Sequence, residues 1–176
     1  MRVINIYGQA GAGKSTVASG LFNIIKQESQ KSVELIDEFA KTLVWSQRFE
    51  ELKDQFFVSA NQYHKLHILE DKVDLVITDS PILLGAIYKP HKQFRSLTPL
   101  LLELDNSMIT TNIFLVANTQ MKYEKDGRLQ TKEEAEKIGE RIENMLNKNK
   151  IEYTTFLNEP EVHQKIFQWL KLRRIV

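Results

Sequence analysis

Cysteine does not occur in this 176-residue chain. Disulfides, thiolate nucleophiles and zinc–thiolate centres are therefore excluded. An excess of charge of either sign is also missing, since the formal net charge is +1. No global field draws the chain towards nucleic acid or a membrane surface. No apolar run approaches the ~20 residues that span a bilayer. The amino terminus runs into a strand pattern rather than a signal peptide, so a cytoplasmic protein without a membrane partner is expected. Repeats, low-complexity tracts and obvious linkers are lacking as well. The 4 histidines show no metal-ligand spacing. What remains is 42% hydrophobic and 27% charged, ordinary for a soluble globular protein. The length suits one domain, residues 1–176, with a sizeable core.

One stretch stands out. Gly8-Gln9-Ala10-Gly11-Ala12-Gly13-Lys14-Ser15-Thr16 fits GxxxxGK[ST] at every fixed position. It follows Val3-Ile4-Asn5-Ile6-Tyr7, a β-branched apolar run that reads as a buried strand. It precedes Val17, Ala18, Leu21, Phe22 and Ile25, which are spaced as on a helix face. Gly8, Gly11 and Gly13 admit backbone conformations that a Cβ opposes. The exposed N–H groups around Ala12 and the positive end of the helix then form an anion cradle. Lys14 is positioned for the β- and γ-phosphates, Ser15 for Mg²⁺ and Thr16 for the α-phosphate side. The motif specifies a nucleoside triphosphate, not what is done with it.

Strand and helix patterns alternate along the rest of the chain, which argues for an α/β fold with a parallel sheet covered by helices. Strands are expected at Val33–Ile36, Val73–Thr78, Ile113–Val116 and Tyr153–Leu157, making five with the first. Residues from Phe39 to about Asp71 read as helical, with a break near Ser46-Gln47. Helices are also expected after Pro81, over Ser96–Asn106, from Lys132 to about Asn147 behind a Thr131…Glu134 capping box, and from Glu159 to Leu172. Tyr88 to Arg95 reads as an irregular connection over the site. The polar segment 118–130 is a candidate lid.

Several groups stand where chemistry is expected. Asp79 ends the third strand, where a carboxylate completes a Mg²⁺ site with Ser15; the alternative is that it caps the helix opened by Pro81. Asp37 and Glu38 follow the second strand, at the carboxyl edge where parallel sheets bind ligands. Either is a candidate base for an attacking hydroxyl, Asp37 first because it sits nearer the strand end and Glu38 as its rival, and either equally suits a helix N-terminus. Arg128 lies in the lid segment, where a cation closes over a transferring phosphoryl group or simply stays solvated. Lys122, Lys125 and Arg141 are weaker candidates. Gln55, Gln62, Tyr63 and His64 either read a base by amide contacts and stacking or form an ordinary polar helix face. No [NT]KxD sequence follows the fourth strand, where Ala117-Asn118-Thr119-Gln120 stands, so a GTPase is disfavoured.

On these residues the chain resembles the P-loop kinases, in the group that includes the nicotinamide riboside kinase domain and related AAA-labelled ATPases often found in phages. The resemblance rests on Gly8 to Thr16, Asp37-Glu38-Phe39-Ala40, Thr78-Asp79-Ser80-Pro81 and Asp126-Gly127-Arg128. It covers almost the whole chain. It implies a three-layer fold with strand order 2-3-1-4-5, an acceptor site over the carboxyl edge, and a lid bearing Arg128. It places the base on Asp37 or Glu38, and a metal or acceptor role on Asp79. The lid departs from the pattern in having one well-placed Arg, and Tyr88 to Arg95 matches nothing in the group.

The expected activity is an ATP- and Mg²⁺-dependent phosphotransferase acting on a nucleoside or nucleotide. Phage relatives that phosphorylate a hydroxymethylated base within DNA make a DNA acceptor the first alternative. A regulatory ATPase is the second. Nothing in the sequence specifies an oligomeric state.

Overall fold

The computed structural model describes residues 1–90, 92–118 and 131–176. Its sheet has five parallel strands in the order β2-β3-β1-β4-β5. These are β1 (Arg2–Tyr7), β2 (Val33–Ile36), β3 (Leu75–Thr78), β4 (Ile109–Val116) and β5 (Thr154–Leu157). β1 is the middle strand, with Arg2 in register with Leu75 on one side and Ile109 on the other. Its near-continuous apolar run is what a strand covered on both faces requires. The edge strand β5 alternates between half-buried and exposed positions instead.

Ile4 and Ile6 point to one face, where α1 (Lys14–Glu28) and α8 (Val162–Leu172) cover them with Leu21, Ile25, Ile166 and Phe167. Tyr7 and Phe114 point to the other, beneath α5 (Leu84–Tyr88), α6 (Leu97–Asn106) and α7 (Lys132–Lys148). The result is the three-layer architecture and strand order that the resemblance implies. No helix among the described residues is long and apolar enough to cross a membrane.

The expected elements are present, with differences that have local causes. The stretch after β2 breaks twice, into α2 (Phe39–Trp45), α3 (Phe49–Lys53) and α4 (Gln55–His67). The second break is Asp54, whose carboxylate accepts from Phe56 N at 3.1 Å and Phe57 N at 3.2 Å and so caps α4. β3 starts two residues later than Val73. Asp74 is engaged with Ser32, whose backbone N–H donates to Asp74 Oδ2 while Asp74 N–H donates to Ser32 Oγ, both at 2.8 Å. β4 begins earlier than expected because its polar residues are satisfied across the sheet. Asn5 Nδ2 donates to Asn112 Oδ1 at 2.9 Å, and Asn112 Nδ2 donates to the Glu152 carbonyl at 3.0 Å. The capping box at α7 forms as expected: Glu134 N–H donates to Thr131 Oγ1, and Thr131 N–H to Glu134 Oε2.

Two polar atoms are buried on the α5–α7 side. Tyr7 Oη and Asp105 Oδ1 have no hydrogen-bond partner among the described residues. Burial raises the Asp105 carboxyl to about 6, and the nearby Asp105 charge adds to burial in raising Tyr7. A carboxyl whose folded value lies above its unfolded value favours the fold at low pH. That contribution is complete below the unfolded value of 3.8 and is lost as pH rises through about 6. Asp105→Asn is therefore expected to stabilise the protein by about 2–3 kcal/mol at pH 8 and by almost nothing at pH 3.5. Denaturant midpoints at the two pH values check this.

Candidate active site

The loop between β1 and α1 lies at the carboxyl edge of the sheet. Its shape depends on left-handed backbone at Gly13, φ +85°, where a Cβ would stand 2.3 Å from Asn158 Nδ2. At Gly8, φ +144°, a Cβ would stand 2.5 Å from the Leu115 carbonyl oxygen. No L side chain fits either place without moving its neighbours. The Val17 N–H donates to the Gly13 carbonyl at 3.0 Å, the bond that opens α1. The amides of Lys14, Ser15 and Thr16 precede it and face out of the helix end, where they and the dipole favour an anion. Lys14 Nζ donates to the carbonyls of Gly8 and Gln9, both at 3.0 Å. The ammonium is thus folded back over its own loop, beside the space those amides surround.

β3 runs next to β1, so the residue after its end arrives beside α1. Ser15 Oγ donates to Asp79 Oδ2. Asp79 is 6% exposed, and its Oδ1 has no partner among the described residues. A hydroxyl beside a buried carboxylate with an unsatisfied oxygen suits Mg²⁺, a hard cation that takes oxygen ligands. The capping alternative has no support, because Leu83 is the N-cap of α5 and no side chain caps it. Among the described residues no cluster of three or more His, Cys, Asp or Glu side chains could hold a metal.

The two carboxylates after β2 separate. Asp37 turns outward, its side chain 79% exposed, and pairs with Lys65 at 2.6 Å. Glu38, the N-cap residue of α2, lines a cavity of about 430 Å³ that reaches the phosphate loop. Gln62 holds this turn in place. Its Nε2 donates to Thr78 Oγ1 at 3.2 Å and to the Asp37 carbonyl at 3.4 Å, and its Oε1 accepts from Phe39 N at 3.3 Å. The buried amide is thus a brace between β2 and β3, whatever else it contacts.

Gly11, Gly13, Lys14, Ser15 and Thr16 line the cavity, while Gly8 and Ala12 are not among its lining residues. Gln55 and Gln62 line it as well; Tyr63 and His64 do not. Tyr63 stacks on His67 instead, with ring centres 5.8 Å apart. Tyr88, the last residue of α5, and Pro90 border the cavity. Arg141 is occupied in donating to the Ile87 carbonyl. Arg128, Lys122, Lys125 and nearly all of the candidate lid lie outside the described residues.

Asn158 was not legible as part of the site. It follows β5, and its Nδ2 donates to the Ala12 carbonyl at 2.8 Å, closing the back of the phosphate loop. A lone Asn after a strand carries no sequence signal for this contact. Asn158→Ala is expected to destabilise the fold by about 1–2 kcal/mol, since the buried Ala12 carbonyl loses its side-chain partner. It should also weaken triphosphate binding several-fold. Thermal melts with and without ATP read both effects.

A parallel sheet in this order, with a glycine-rich anion cradle between its middle strand and the next helix, defines a P-loop NTPase with the fold of nucleotide kinases. The sequence profile of the AAA domain family matches residues 3–162, and the chain belongs to that family. The AAA part of the resemblance is matched by this finding. No curated protein sequence matches the chain significantly. Among solved structures it is similar to deoxyadenosine kinase from M. mycoides with bound dATP, at TM-score 0.60 and 19% identity over 96% of this chain and 98% of that one. The same kinase with dCMP and dCDP bound gives TM-score 0.61 and 18% identity, with full coverage of both chains. Thymidylate kinase from Ehrlichia chaffeensis gives 0.60 and 18%, covering 97% and 98%. At such identities the likeness is one of fold.

Proposed function

We propose that the protein is an ATP- and Mg²⁺-dependent phosphotransferase whose acceptor is a nucleoside or nucleotide. The observation that carries this is the single cavity joining the phosphate loop to Glu38. A donor cradle and a candidate base therefore open into one space, as transfer between two bound molecules requires. The solved kinases of the same fold act, by their names, on deoxyadenosine and thymidylate, which supports that acceptor class.

In this reading the amides of the loop and Lys14 hold the donor's β- and γ-phosphates. Ser15 and Asp79 would hold Mg²⁺, which neutralises phosphate charge when bound. Glu38 aligns an acceptor hydroxyl and takes its proton as the oxygen bonds to the γ-phosphorus. The bond from that phosphorus to the β–γ bridging oxygen breaks, and ADP departs with the electron pair. Arg128 is proposed to add positive charge over the transferring group.

The test is labelled ATP against a panel of nucleosides, nicotinamide riboside, nucleoside monophosphates and hydroxymethylated duplex DNA. Label in a nucleoside or nucleotide is the expected result, whereas label only in the duplex would move the acceptor to DNA. Label appearing only as free phosphate would favour a regulatory ATPase. Glu38→Gln should lower kcat about 10²-fold, while Asp37→Asn stays within a few-fold. Equal losses at both positions would remove Glu38 from its role.

A further inference from the structure

One glycine of α7 has no reason in its own helix. Gly139 lies near the middle of Lys132–Lys148, where glycine forms helix worse than any residue but proline. It is buried on the same face as Ala135, Ile138, Ile142 and Leu146, at the spacing of an amphipathic helix. Ile138 and Ile142 share a cluster with Tyr7, the residue that ends β1 just before the phosphate loop. A Cβ on Gly139 would stand 3.2 Å from Gln9 Cβ and 3.3 Å from Gln9 Oε1. Those separations are tighter than ordinary van der Waals contact, so Gln9 would have to give way. The side chain that α7 lacks here leaves the seat that Gln9 occupies.

Gln9 is not among the residues lining the cavity. Its effect on the site runs through its backbone. The Gln9 carbonyl accepts from Lys14 Nζ at 3.0 Å and from the Ala12 N–H at 3.2 Å. One carbonyl therefore places both the cation and an amide of the loop. A side chain wedged between the loop and α7 restricts the tilt of that peptide plane, because close-packed surroundings resist displacement. We infer that Gln9 is a positioning residue, seated in the gap left by Gly139, through which α7 sets the aim of Lys14 and of the loop amides at the triphosphate. The inference rests on the nucleotide half of the phosphotransferase reading and holds whatever the acceptor is. Preorganised donors lose much of their value when displaced by about 1 Å, so a small shift at the seat has a measurable effect.

The full chain and its variants are titrated with ATP in the presence of Mg²⁺, and each melt is recorded without nucleotide. Gly139→Leu fills the seat and should weaken ATP binding at least about tenfold. Gly139→Ala asks Gln9 to move only a few tenths of an ångström, and should weaken binding about two- to threefold. Gln9→Ala vacates the seat and should also weaken binding severalfold. Combined with Gly139→Leu it should bring the affinity back to within about threefold of the unaltered protein, because leucine takes the room the amide leaves. In turnover the loss should fall on the ATP KM and on kcat, with the acceptor KM within about twofold. A merely structural glycine would give a lowered melt for Gly139→Leu and an unchanged ATP affinity in the folded fraction. That result, or no recovery in the double variant, overturns the inference. Where leucine prevents folding, the losses at Gly139→Ala and Gln9→Ala decide the question, and unchanged ATP affinity in both overturns it. An unaltered protein that binds no ATP overturns the nucleotide reading itself, which is a separate failure.

Discussion

Lys14→Ala should lower turnover about 10³-fold while the protein remains folded. The size follows from removing a preorganised cation from the place where charge gathers during transfer. Survival of the fold follows from the location of the side chain. Lys14 Nζ donates to carbonyls of its own loop, those of Gly8 and Gln9. The packing of α1 against the sheet is made by Val17, Ala18, Leu21 and Ile25, all buried and all untouched by the change. Circular dichroism and a thermal melt report the fold, and labelled phosphate transfer reports the activity. Undiminished turnover would remove the loop from the chemistry. A lost melt transition would show instead that Lys14 holds the loop together, and Lys14→Arg would then be the variant to assay.

Asp79→Asn should cost about as much, through a different route. Asparagine keeps the size of the side chain and can still accept from Ser15, so the local geometry is retained. What it removes is the negative charge and one of the oxygen ligands that a Mg²⁺ site needs. Turnover should fall about 10³-fold, and the Mg²⁺ concentration for half-maximal rate should rise. Stability should not fall, because Asp79 is buried and replacing a buried carboxylate by an amide removes a desolvation penalty. A magnesium titration of rate together with a denaturant melt separates the two effects. Unchanged magnesium dependence would mean that Asp79 only positions Ser15.

Legibility in the sequence divides along the distance over which each feature is determined. The phosphate loop is nine consecutive residues between a strand pattern and a helix pattern, and it forms as read. The Thr131 capping box needs four residues, and it forms too. The break at Asp54 was also local, but a lone Asp inside a long helical pattern signals weakly. Its carboxylate also accepts from Gln93 Nε2 at 2.7 Å, a contact across the connection that no local window of sequence contains.

Nearness to the strand end puts Asp37 ahead of Glu38 as the base in the sequence, and the structure reverses that order, with Asp37 on the surface and Glu38 at the cavity. Lys65, 28 positions later, draws Asp37 out to the surface, and Glu38 is left facing the cavity. Gln62 was read as a base-reading amide or a polar helix face. Its observed bonds run to Thr78, Asp37 and Phe39, groups from two different strand ends.

What the chain order alone determined was the nucleotide cradle, the alternation of strands and helices, and the exclusion of thiol chemistry. These depend on residue identity and on periods of two or 3.6 residues, which neighbours along the chain express by themselves. Tertiary structure decided which distant groups meet. Asp79 lies 64 positions from Ser15, and Asn158 lies 146 from Ala12. They come together because β3 and β4 flank β1 in the sheet and β5 flanks β4. Long-range strand pairing is selected by burial on both faces of the whole sheet, and no local window of sequence contains that information.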